Sequence, residues 1–169
     1  YTMDGASVVA GAQLGAGTAQ PITVTFTPTD TTDYGVVTVS KTLDVLPAKV
    51  RLQVPAVHTS YGSASTAISA KLLSPPQIGT GTVTFNVLSG TTVVTSLTDV
   101  AVSGGTASAT LPLTALAAGN YRLQGVYSGA DNYAGVTAYG LLAVKAVKPV
   151  ITWANPADIT LGTQLSDTQ

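Results

Sequence analysis

Apolar and polar residues alternate with a period of two along much of this chain. In "GTVTFNV", Val83, Phe85 and Val87 fall on one face and Thr82, Thr84 and Asn86 on the other, the pattern of a strand buried on one side. "VSGGTASATL" turns the chain and puts Ala107, Ala109 and Leu111 inward. Its Ser-Gly and Gly-Gly pairs supply the positive φ that hairpin turns require. The alternation predicts strands near 49–54, 66–72, 81–88, 91–97, 106–112, 121–127 and 136–144. Short strands separated by turn signals every 8–12 residues or so indicate a sandwich or barrel.

The chain also repeats itself. "TFTPTDTTDYGVVTV" at 25–39 echoes "VYSGADNYAGVTA" at 126–138. Tyr34 aligns with Tyr133 at an offset of 99, and the same offset carries Leu43 to Leu142 and Val45 to Val144. Upstream, "LGAG" at 14–17 matches "LAAG" at 116–119 with an offset of 102, a difference assigned to the loop before the tyrosines. Downstream, "VRLQVPAVHTSYG" (50–62) corresponds to "VITWANPADITLG" (150–162). A period near 100 residues is too long for a solenoid turn and matches one β-sandwich domain. The register predicts three pieces: 1–46 as the second half of one unit, 47–146 as a complete unit, and 147–169 as the opening strands of the next. The joints "VLPAKV" and "VKAVKPV" are short and carry Pro, which favours stiff connections.

"LAAGNYRL" adds a local expectation. In immunoglobulin-like sandwiches a Tyr near the start of the penultimate strand bonds back to the backbone at a corner. Leu116, Gly119 and Tyr121 fit that pattern, with Gly119 taking the bend. The G-x-V-T-F strand, the "GTASATL" strand, the A-G-x-Y corner and the closing "YSGADNY" together resemble the bacterial immunoglobulin-like repeat of group 3, over residues 63–144. The flanks are similar to the two ends of a related repeat that often alternates with it. The resemblance implies tandem immunoglobulin-like units in large secreted or surface-anchored proteins, where they serve as spacers, stalks or adhesive modules. It brings no catalytic residues with it.

Composition agrees with strands and removes most chemistry. Charged residues are 9% of the chain and every acid is Asp, so the charged helix formers Glu, Lys and Arg are absent or scarce. A net charge of −1 provides no basic stripe for nucleic acid. No apolar run reaches the roughly 18 residues of a spanning helix. The absence of Cys excludes disulfides and thiolate metal sites. His58 is the one histidine and has no glycine-framed serine elbow beside it. The loops holding Asp30 and Asp33, and Asp131 and Asn132, each offer two oxygen-bearing side chains where Ca²⁺ takes six to eight ligands. Turn chemistry explains these loops better. No cofactor, metal or catalytic site is predicted. Trp153, the one tryptophan, is expected to pack in the core of its own unit. Tyr34 and Tyr133 are expected to hold equivalent places in successive units.

The predicted role is structural: an extracellular fibre, stalk or surface filament, built without catalysis. The head 1–46 is too small to fold alone. Either the chain is an excerpt of a longer polypeptide, or copies join head to tail through strand addition. The predicted partners are therefore copies of the chain itself or adjacent repeats. The alternative is an adhesive or carbohydrate-binding module that uses an exposed aromatic such as Tyr139 on surface glycans.

Overall fold

The computed structural model describes residues 13–74 and 78–164, together with the backbone of two short strands, β1 (Thr2–Met3) and β2 (Ala6–Ser7). The remainder of 1–12 and residues 165–169, parts of the expected outer units, lie outside the described residues. The further strands are β3 (Gly17–Phe26), β4 (Val37–Val45), β5 (Arg51–Gln53), β6 (Val57–Ser60), β7 (Ser65–Ser74), β8 (Thr82–Ser89), β9 (Thr92–Ser103), β10 (Thr106–Pro112), β11 (Gly119–Tyr127) and β12 (Val136–Lys145). Among the described residues there is no α-helix.

Strands β5 to β12 form a continuous ribbon in the order β5-β7-β10-β9-β8-β11-β12-β6, folded back on itself as a sandwich. Two places let one ribbon supply both layers. At Pro55 the first strand breaks: β5 pairs antiparallel with β7, and β6 pairs parallel with β12 in the other layer. At the far edge β9 serves both layers, since Thr92–Ala101 pairs with β8 and Val102–Ser103 with β10. The strand expected near 49–54 forms as the shorter β5, and β6, which the alternation does not mark, follows beyond Pro55, where the ladder breaks because Pro cannot donate to it. The strand expected at 91–97 runs on to Ser103.

The inward residues meet in one core. Val83, Phe85, Val87, Leu123 and Leu142 are fully buried in one layer, and Ile68, Ala70 and Leu72 of β7 with Ala107 and Leu111 of β10 oppose them from the other. Burying each large side chain contributes about 1.5–3 kcal/mol. Among the described residues no polar or charged residue belongs to the buried set. Two glycines let the chain change layers. A Cβ on Gly140 would come within 2.6 Å of the Val54 carbonyl oxygen, and one on Gly125 within 2.8 Å of the Val54 side chain.

The preceding hairpin forms a separate sheet, β2-β1-β3-β4. Its cross-strand pairs sort by chemistry. Thr23 meets Ser40 and Thr25 meets Thr38 through hydroxyl hydrogen bonds of 3.0 and 3.2 Å on one face. Ile22, Val24, Phe26, Val37, Val39 and Leu43 occupy the other, where Phe26 is 64% exposed.

Candidate functional site at the joint

The two hairpins, β3–β4 and β11–β12, share a register. Gln20 faces Leu43 as Tyr121 faces Leu142, and Phe26 faces Val37 as Tyr127 faces Val136. The repeat seen in the sequence is thus also a repeat of strand pairing. Its offset changes in two steps rather than one. A bulge between Gly17 and Gln20 absorbs one residue, with Ala19 at φ 51° and its N–H donating 2.7 Å to the Asp44 carboxylate. The loop 27–36, longer than its counterpart 128–135, absorbs the rest.

The corner of each hairpin is tied by a side chain on equivalent positions. The Tyr121 hydroxyl donates to the Ala117 carbonyl at 3.0 Å. In the first hairpin Gln20 takes that place and its Nε2 donates to the Gly15 carbonyl at 2.8 Å. Leu116 is buried beneath the corner, and its N–H reaches the Leu113 carbonyl. Gly119 opens β11 opposite Val144 and is not among the glycines with positive φ. The expected bend at Gly119 is therefore made by ordinary backbone.

The joint lies where this first corner meets the loop between β11 and β12. Asn132 Oδ1 accepts the Ala16 N–H at 2.7 Å, and a Cβ on Gly15 would sit 3.3 Å from the same oxygen. The linker is held by the same loop. Ala48 N–H donates to the Asn132 carbonyl at 2.8 Å, and Ala134 N–H donates to the Ala48 carbonyl at 2.9 Å. Tyr133 closes the loop through paired hydrogen bonds with Ala130 and packs half-buried on the sandwich core. Leu14, Val45 and Leu46 line the cleft that remains. One loop thus grips both the linker and the preceding corner, which orients the hairpin on the sandwich.

Sequence reasoning had placed Asn132 in a self-contained turn and had not singled out Gln20. The internal alignment carries the signal for Asn132, which aligns with Asp33; for the corner it points to Ala19, and only the bulge between Gly17 and Gln20 brings Gln20 into the place of Tyr121. Asp30 does what turn chemistry predicts, its carboxylate accepting the N–H groups of Thr32 and Asp33 at 3.0 and 3.2 Å. Tyr34 is 65% exposed where Tyr133 is packed. Trp153 was expected in a core and is 79% exposed, in a segment 147–164 that forms no strand. The tail nevertheless repeats one turn. Ser63 N–H donates to the Ser60 carbonyl with Gly62 at φ 87°, and Thr163 N–H donates to the Thr160 carbonyl with Gly162 at φ 97°.

A polar row crosses the outer face of the β9-β8-β11-β12 layer. Ser96 donates to Asn86, Asn86 to Gln124, and Gln124 to the Tyr139 hydroxyl, at 2.8, 2.8 and 3.2 Å. The Arg122 guanidinium lies over the Tyr139 ring at 4.2 Å. His58 is exposed on β6 beside Ala143. Among the described residues no group of three His, Cys, Asp or Glu could hold a metal ion.

No family model matches the chain, and no curated protein matches it. Among solved structures the chain is similar to an engineered protein seen in a crystal structure, at 21% identity over 62% of this chain with a TM-score of 0.39. The chain spans 22% of that protein's length. A likeness of that size carries no argument about activity.

Proposed function

We propose that the chain is a slice of an extracellular array of immunoglobulin-like units that bears tension as a stalk, fibre or surface filament, without catalysis. The observation that carries this reading is the parallel pairing of the sandwich's entry and exit strands, Val57–Ser60 against Leu142–Lys145. A pull on the two ends slides β6 past β12, so the ladder is loaded in shear. Every hydrogen bond in it must then yield together, whereas an antiparallel hairpin pulled at its ends unzips one bond at a time. The gripped joint adds to the argument, because a stiff connection passes load from one unit to the next.

Single-molecule extension tests the reading. The sandwich 47–146 is expected to unfold in one step, releasing roughly 330–360 Å of chain less its folded end-to-end distance. Tyr61→Pro is expected to lower the rupture force, because it removes the N–H that donates to the Lys145 carbonyl at 2.8 Å. That position of the turn accepts Pro, so the equilibrium cost should be no more than the lost hydrogen bond, about 0.5–1.5 kcal/mol, and denaturant unfolding of the same variant measures it. Extension without a discrete step would rule out the tension-bearing role.

A second reading, an adhesive or carbohydrate-binding module, is favoured by the outer row of Tyr139, Gln124, Asn86 and Arg122. Saturable glycan binding that is lost in Tyr139→Ala would support it over the first.

A further inference from the structure

We infer that the outer face of the β9-β8-β11-β12 layer binds an oligosaccharide of uronic acid, with Arg122 taking the carboxylate and the row from Ser96 to Tyr139 taking the hydroxyls. The inference rests on the adhesive reading above and names its ligand class. The row crosses the four strands near their middles, whereas the hairpin meets the sandwich through loop 128–135 and the linker. A unit joined in that way at either end of the sandwich leaves the row open.

Three observations carry it. First, Arg122 is held in place but not used. Its guanidinium lies over the Tyr139 ring at 4.2 Å, and the hydrogen bonds of the row engage none of its N–H groups. Its cross-strand neighbours are Leu88 and Leu141, and β6, β8, β11 and β12 contain no acid. The acid of β9, Asp99, stands at the bulge two strands away. The result is a planar fork without a carboxylate, and a carboxylate fits such a fork through two parallel hydrogen bonds. The contact with the ring restrains the arginine beforehand, which lowers the entropy lost on binding. Second, the hydrogen bonds of the row all run one way, from Ser96 through Asn86 and Gln124 to the Tyr139 hydroxyl. Each amide spends one N–H in the row and keeps another, and the Tyr139 hydroxyl, an acceptor in the row, keeps its own proton to donate. Bonds of one sense polarise each other, which makes that phenol a better donor. Sugar hydroxyls, which donate and accept, suit this mixture. Third, the face is long and partly apolar. Neighbouring strands lie about 4.8 Å apart, so the row spans about 14 Å, and Tyr139 and Leu141 are exposed beside Arg122 for the C–H groups of a ring. A uronic acid chain presents a carboxylate on each ring and hydroxyls along its length, so one ring sits at Arg122 while its neighbours follow the row. A sialic acid ends its glycan and brings one ring, and an acidic peptide brings no hydroxyls for the row.

NMR titration of the full chain with trigalacturonic acid tests the inference. Saturable shifts are expected on β8, β11 and β12, with a Kd of about 1 mM that weakens as salt is raised. The methyl ester of the same sugar should bind about tenfold more weakly, since it lacks the charge-assisted bonds to Arg122. Arg122→Gln should weaken the acid about tenfold and leave the ester unchanged. Arg122→Lys, which keeps the charge without the fork, should fall between Arg122→Gln and the parent chain. Tyr139→Phe should weaken acid and ester alike. Arg122 and Tyr139 are exposed, and unchanged amide shifts away from the face show that the variants keep the fold. No saturation by about 10 mM, equal binding of acid and ester, or equal binding of sialyllactose or triglutamate overturns the inference. A glycan microarray separates that failure from the failure of the adhesive reading. Binding of neutral glycans that is lost in Tyr139→Ala keeps the adhesive reading without the uronic acid, and a microarray with no Tyr139-dependent binding removes both.

Discussion

Two tyrosines show how far single residues could be read. Tyr121 was legible because a corner tyrosine has a positional signature, and its hydroxyl reaches the Ala117 carbonyl. Tyr121→Phe is expected to cost about 0.5–1.5 kcal/mol, the net worth of one hydrogen bond, as measured by denaturant unfolding of the full chain. Gln20 performs the same tie with different chemistry, and a pattern defined by residue type passes over it. Tyr127 gave no such signal, because an inward aromatic reads simply as core. Its hydroxyl donates to the Thr80 carbonyl at 3.0 Å. Burial, with a smaller contribution from Tyr133, pushes its phenol above the usual value of 10.0. The folded state therefore holds this proton more tightly than the unfolded chain does. The associated stability is fully present below pH 10 or so and is lost as pH rises from there through the folded value. Unfolding midpoints measured from pH 8 to 11 should fall in the parent chain and fall less steeply in Tyr127→Phe. Parallel curves would show that this phenol does not link stability to pH.

At the scale of elements, alternation located every long strand of the sandwich because each buries one face and wets the other. It failed where a strand changes partners. Residues 57–60 alternate weakly, and the alternation of 92–103 is interrupted by a bulge at 98–99 opposite Thr84. Asp99 sits there at φ 56°, the left-handed region that Asp tolerates and β-branched residues do not. The bulge turns β9 from the β8 layer toward β10, and so it is part of how the ribbon closes. Asp99 is exposed, which separates backbone strain from packing. Asp99→Val should destabilise the chain by about 1–2 kcal/mol, whereas Asp99→Gly should cost nothing or stabilise slightly. Chemical denaturation of the two variants checks this, and equal losses would remove the bulge from the explanation.

For the whole molecule, the period near 100 residues was visible in the chain, but the way one hairpin is held on the next sandwich was not. Repeats reveal what recurs within a unit, and a joint depends on which loop of one unit meets which corner of another. The local chemistry of "SGADNY" pointed inward, to a turn satisfying its own backbone, and the Asn132 backbone does hold the linker at Ala48. Its side chain instead leaves the loop and takes the Ala16 N–H, 116 residues earlier in the chain. That single acceptor links the hairpin's corner to the sandwich, while the backbone bridges at Ala48 secure only the linker. Asn132→Ala should therefore leave the sandwich folded and free the hairpin to swing. Asn132→Asp, which supplies the acceptor found at Asp33 of the first hairpin, should keep the joint closed. Small-angle scattering of the full chain would read the first as a broadened distribution of interatomic distances and the second as an unchanged one. Thermal unfolding of the same variants would show whether the sandwich itself was spared. If Asn132→Ala scatters like the parent chain, the joint is set by the Ala48 bridges and by the packing of Leu14 and Val45 at the cleft. The stiffness assigned to the array would then reside in the linker.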